Sequence, residues 1–162
     1  MTLADVIVTF CRRLPEPILS DEAFDELAAA SSIDDDTGQV VAIRNVLEQL
    51  PLLNKKVVKH LVRHFHRVAQ NAKVTKMDAN NLALVFAPHF FTRPSSANYA
   101  DAREIVQAAK KVQTKCHILY LLISRAEYIL NSSDAPIQVL APIENAFKSK
   151  QFQTLASMVQ QK

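Results

Sequence analysis

Apolar residues recur every three to four positions along most of this chain, the spacing of amphipathic helices rather than of strands. Residues 3–13, LADVIVTFCRR, place Leu3, Val6, Ile7 and Phe10 on one helical face. The run LPEP follows. A proline inside a helix removes a hydrogen bond and clashes with the preceding turn, and the residue before it is pushed out of the α region. Leu14 and Glu16 are therefore expected to be extended. One helix should end near Arg13 and the next begin after Leu19, with Ser20 as N-cap and Asp21 and Glu22 at its positive end. That second helix runs to about Ala30. A polar turn from Asp34 to Gly38 starts a third, in which Val40, Ile43, Val46, Leu47 and Leu50 form a stripe that Pro51 stops. Asn54 is expected to cap a fourth. Its Val57, Val58, Leu61, Val62, Phe65 and Val68 face inward, and Lys56, Lys59, Arg63 and Arg67 line the other side.

Asp78 reads as the N-cap of a further helix in which Leu82, Val85 and Phe86 are apolar and which Pro88 ends or kinks. Residues 92–98, TRPSSAN, read as an exposed loop. The helical pattern returns from Tyr99 to Leu130, in one piece or two. Its stretch CHILYLLI is apolar nearly all round and belongs at the centre of a core. The phasing predicts that Leu61, Phe65, Val85, Phe86, Leu119 and Leu122 are buried. Residues 1–130 then form one domain, an all-α helical bundle. Residues 131–142 read as a linker, and residues 143–162 as a C-terminal amphipathic helix carrying Ile143, Phe147, Leu155 and Val159.

Composition narrows the function more than the fold. The chain has a single glycine, Gly38. Phosphate-cradling loops, dinucleotide fingerprints and most hairpin turns need several. A net charge of +3 is too mild to argue for nucleic acid. Cys11 and Cys116 both lie on apolar helical stretches, which suits buried, reduced thiols better than a disulfide. No apolar run is long enough to span a membrane. The expected location is cytoplasmic.

The chemical constellations are sparse. His60 and His64 are four apart, with His66 nearby, a spacing that can share a metal. No carboxylate lies between them and their neighbours are cationic, so ordinary histidines at the core edge are expected, and no metal. No GxSxG is present and neither cysteine has a companion motif, so neither an enzyme nucleophile nor a cofactor is expected. The stripe Lys56, Lys59, Arg63, Arg67 is a solvated face, or else a patch for an acidic partner or lipid headgroups. Asn80 and Asn81 are less bland. Asparagine is a mediocre helix former, so two in a row at a helix start suggest either a capping pair or a side-chain amide with another task.

Three stretches in order carry a resemblance. VTFCRRLPEPIL (residues 8–19) is similar to a helix running into a Leu-Pro-Glu-Pro-Leu corner. LEQLPLLNKKVVKHLVRHFHRVA (47–69) is similar to the LP..N...L..L..HL..V pattern, with Leu50, Pro51, Asn54, Leu61, His64 and Val68 on matching positions. TKMDANNLALVFAPHFF (75–91) is similar to NKM...NLA.VFGP.L. Together they resemble the Rho GTPase-activating protein (RhoGAP) domain over roughly residues 3–130. The resemblance implies a regulator of Rho-family small GTPases that brings no cofactor of its own. Arg12 matches the family's basic residue on the docking helix, and Asn81 the asparagine that reaches the GTPase switch region. These two are the expected GTPase-binding residues.

The departures bear on catalysis. The family's catalytic arginine lies upstream of these motifs, in a loop of the form G-x-F-R-x-S-G, and no such loop is among these residues. Arg12 and Arg13 both fall on a helix. Val8 stands where the family often has a second basic residue, Thr75 replaces the asparagine of NKM, and Ala87 replaces the glycine of VFGP. The expectation is a RhoGAP-like bundle missing its first helices: a fragment, a truncated gene model or a degenerate relative, not catalytically competent as it stands. The other readings are a non-catalytic helical protein-interaction module and a binder of anionic membrane surfaces. Without covering helices an exposed apolar groove is also expected, and with it self-association, marginal stability, or closure by the C-terminal helix around Phe147 and Leu155.

Overall fold

The computed structural model describes residues 2–91 and 102–131. The expected loop over 92–98, the linker beyond residue 131 and the C-terminal helix lie outside the described residues. Among the described residues the elements are all helical: α1 (Leu3–Arg13), α2 (Asp21–Ser31), α3 (Asp36–Gln49), α4 (Leu52–Gln70), the single turn α5 (Ala72–Thr75), α6 (Ala79–Phe91), α7 (Ala102–Ser124) and α8 (Ala126–Leu130).

Capping sets the boundaries. The Ser20 hydroxyl accepts from the Ala23 N–H at 3.2 Å and starts α2. The Asp35 carboxylate accepts from the Gly38 N–H at 2.5 Å and starts α3. Asp78 accepts from the Asn81 N–H at 2.7 Å and starts α6. Each satisfies one of the amide donors that a helix leaves open at its beginning.

The centre of the bundle is the second half of α7. Ile118, Leu119, Leu121, Leu122 and Ile123 are all essentially inaccessible, as the all-round apolar pattern predicts. Helix α6 lies along α7. Phe65 of α4 stacks on Phe86 of α6, with ring centroids 4.5 Å apart. Phe24 of α2 meets Phe91 edge-on at 5.7 Å. A break at Arg125 separates α7 from α8. There the guanidinium, itself buried, reaches Asp36 at 3.3 Å, while Arg44 of α3 donates to the Tyr128 carbonyl. These two links hold α8 against the start and middle of α3.

The phasing holds for Phe65, Phe86, Leu119 and Leu122, which are buried. Leu61 is only half-buried, packed at the edge of the core. Val85 is a correction: it is 44 % exposed, because the inner face of α6 is taken by Leu82, Ala83, Phe86, Ala87, Phe90 and Phe91. Helix α1 is also rotated from the expected phase. Ile7, Val8, Cys11 and Leu14 turn inward, and Val6 and Phe10 stay exposed. Pro88 does not end α6. The helix continues to Phe91, and burial of two phenylalanines, about 1.5–3 kcal/mol each, offsets a proline cost of roughly 3 kcal/mol.

Candidate functional site

The proline corner between α1 and α2 positions everything around it. Leu14 leaves α1 with an extended backbone, φ −64° and ψ 139°, as a residue before proline must. Four residues on, Ile18 and Leu19 are fully buried. The corner is then tied on two sides. The Leu19 N–H donates to the Phe90 carbonyl in the last turn of α6 at 2.9 Å. The Asn54 side-chain amide donates to the Ile18 carbonyl at 2.8 Å. Asn54 was expected to cap α4, but no side-chain cap bond starts that helix. It sits in the first turn and spends its amide on the corner instead.

These ties bring α1 against α6. The outer edge of α6 then presents Asn81, Val85 and Pro88, all exposed, with His89 half-buried beside them. Offsets of four, seven and eight residues put them on one helical stripe, roughly 12 Å long from Asn81 to His89 at 1.5 Å per residue. Arg12 is exposed on α1 and lies close enough to His89 to act on its charge. Burial, and then the Arg12 guanidinium, hold the His89 imidazole below its ordinary value. A neutral His89 keeps the C-terminal end of the stripe from gathering a second positive charge beside Arg12. Among the described residues no hydrogen bond or ion pair engages Arg12, and Glu16 does not pair with it.

The two asparagines separate. Asp78 caps α6, so neither asparagine is needed for that. Asn80 is half-buried, its carbonyl oxygen wholly covered and without a hydrogen-bond partner among the described residues. Asn81 points to solvent. Structure thus places Arg12 and Asn81 on neighbouring helices along one accessible face. Sequence reasoning missed Val85 and His89, which complete it. The signal was present in the α6 pattern: two adjacent inner rows, at 82–83, 86–87 and 90–91, leave 81, 85 and 88–89 outside.

Thr75, where the resemblance implied an asparagine, is absorbed locally. Its hydroxyl donates to the Val68 and Asn71 carbonyls and accepts from the Met77 N–H. The methyl of Ala87 is fully buried.

His66 of α4 is engaged within the molecule. The His66 Nδ1–H donates to the Ile123 carbonyl at 2.7 Å, near the end of α7. Its Nε2 faces Gln70 at 3.0 Å and Glu127 at 3.5 Å. Among the described residues no group of three histidine, cysteine, aspartate or glutamate side chains is placed to hold a metal. The basic stripe is partly used within the molecule. Lys59 and Lys55 both pair with Glu48, at 2.6 and 3.2 Å, and Arg63 reaches the Leu130 carbonyl at 3.4 Å. No helix among the described residues is long and apolar enough to cross a membrane.

Comparison with known proteins agrees with this architecture. The family model described as RhoGAP domain matches residues 1–95. A human T-cell activation Rho GTPase-activating protein is 34% identical over 90 residues, covering 56% of this chain and 12% of its own length. The Dictyostelium discoideum Rho GTPase-activating protein gacJJ is 28% identical over 137 residues, covering 84% of this chain and 16% of its own length. The chain thus spans less than a fifth of either relative. Among solved structures, human Rho GTPase activating protein 15 superposes with a TM-score of 0.66 at 22% identity, over 77% of this chain and 56% of that one. The BH domain from Graf, the GTPase regulator associated with focal adhesion kinase, superposes with a TM-score of 0.63 at 23% identity, over 77% of this chain and 63% of that one.

Proposed function

Because this chain belongs to the RhoGAP domain family, we propose that it regulates Rho-family small GTPases by docking on them through the α1–α6 face, without accelerating hydrolysis on its own. The observation that carries this reading is the accessible stripe of Asn81, Val85 and Pro88 beside an unengaged Arg12. It offers an amide, an apolar contact and a cation on helices that the corner holds rigidly together. That combination suits a polar, partly acidic protein surface better than a small substrate.

Acceleration of GTP hydrolysis in trans rests on an arginine that neutralises charge on the transferring phosphoryl group, worth roughly 10³–10⁵ in rate. Arg12 and Arg13 are fixed on α1. Arg44, Arg63 and Arg125 are spent on Tyr128, Leu130 and Asp36. Arg67 and Arg103 lie on α4 and α7. Arg93 falls outside the described residues. None of those described sits on a loop that could enter a nucleotide site.

The test is affinity for a Rho-type GTPase loaded with a non-hydrolysable GTP analogue. Arg12→Ala and Asn81→Ala should each weaken binding roughly tenfold, the size of a lost hydrogen bond to a charged group. Lys59→Ala should leave it unchanged. Unaltered affinity in both face variants would overturn the docking surface. In single-turnover assays with the chain in excess, hydrolysis should stay near the intrinsic rate. A hundredfold stimulation would overturn the non-catalytic part of the reading.

A further inference from the structure

We propose that a groove at the proline corner receives a segment of this same chain, residues 143–150, with Phe147 in its apolar half and Lys148 and Lys150 against its acidic half. This goes beyond GTPase docking and uses no residue of the Arg12–Asn81 face.

The groove is two adjoining cavities. One, of about 420 Å³, lies between the end of α1 and the start of α4 and is walled by Phe10, Leu14, Leu53 and Val57. The other, of about 710 Å³, is lined by Glu16, Asp21 and Glu22, with Lys115 opposite. Glu16, Ile18 and Asn54 line both, so the two are continuous. Phe10 is 44 % exposed and Leu53 73 %, and large apolar side chains left open in a concavity favour an occupant. Lys115 lies over the Phe24 ring at 5.5 Å and is attracted by Asp21. It offsets one of the three carboxylates, and the cavity stays net negative. The occupant should therefore carry a bulky apolar side chain followed closely by cations.

The sequence IENAFKSK, residues 143–150, supplies that order, and no acidic residue occurs from Asn145 to Lys162. Reach is ample. Asn131 lies beside Arg63 and Arg67 in the second half of α4. The groove is at Leu53 to Val57, about 15 Å along that helix at 1.5 Å per residue. The stretch from Asn131 to Phe147 can extend roughly 50 Å. A tether of this length holds the segment at an effective concentration on the order of millimolar, so even a weak contact is occupied.

The test places p-benzoylphenylalanine at position 147 of the full 162-residue chain, which keeps an aromatic plug and adds a photocrosslinker. Irradiation should join position 147 to residues 10–18 or 53–57 within one chain, at a yield independent of protein concentration. Lys148→Glu with Lys150→Glu should cut that yield at least twofold, and adding Glu16→Lys with Asp21→Lys should restore it. Unchanged melting temperatures show that each variant is folded. Crosslinks mainly to the exposed Ile105 and Val106 of α7 would overturn the proposal. So would crosslinks between chains that grow with concentration, which would make a second copy the occupant. A yield indifferent to charge reversal would overturn it equally.

Discussion

Asn54 and Asn81 show what a single residue type can conceal. Both stand near helix starts, where asparagine usually caps, and neither caps in the folded chain. Asn54 donates across the molecule to the Ile18 carbonyl. Replacing it with alanine leaves that carbonyl unpaired in a buried corner, at a cost of about 1–3 kcal/mol. Chemical denaturation of Asn54→Ala should read a loss in that range. Asn54→Asp, which accepts but cannot donate, should do no better. Asn81 carries the opposite expectation. With Asp78 already capping α6, Asn81→Ala should leave stability within about 0.5 kcal/mol, as for an ordinary surface change. Its proposed docking role rests on the family motif. The residue's own chemistry fits a cap, a bridge or a docking amide equally well, and the choice depends on distant chain.

At the scale of elements, boundaries were the legible part. Ser20, Asp78 and the proline corner follow from capping and proline sterics, which act within a few residues, whereas the break at Arg125, which has no side-chain cap and no proline, was not placed by the pattern. Rotation of a helix about its axis was less legible. Helix α1 has apolar residues on most of its circumference, so its inner row was settled by what α6 offers, and Val6 and Phe10 ended outside. Val85 was misplaced for the same reason: α6 has more apolar positions than its two buried rows can hold. The cap itself can be tested. Asp78→Ala removes the acceptor at 2.7 Å from the Asn81 N–H and should cost about 1 kcal/mol. Because the proposed docking stripe begins at that turn, Asp78→Ala should also weaken GTPase affinity, whereas the equally costly Ser20→Ala should not. Equal effects on affinity from both variants would remove the link between the start of α6 and docking.

Over the whole molecule, the α6–α7 pair carries a dependence on pH. Burial holds His117 below its ordinary value of about 6.5, and burial together with Arg12 does the same for His89. A depressed histidine is protonated more readily unfolded than folded. Its contribution is therefore complete above about pH 6.5 and is lost as pH falls toward the folded-state values. Denaturation midpoints should decline between pH 7 and pH 5, and His117→Gln should flatten the decline. A level profile in the unaltered chain would contradict it. The corner has a consequence of another kind, in time rather than in space. The Leu19 N–H bonds to the Phe90 carbonyl, and a ribosome delivers the first long before the second. Asn54 of α4 can reach the Ile18 carbonyl earlier, but until α6 has emerged the Leu19 N–H has no Phe90 carbonyl to bond. The proposed docking face is thus completed only once α6 has been made, and a nascent chain stopped short of α6 carries Arg12 without the rest of that face.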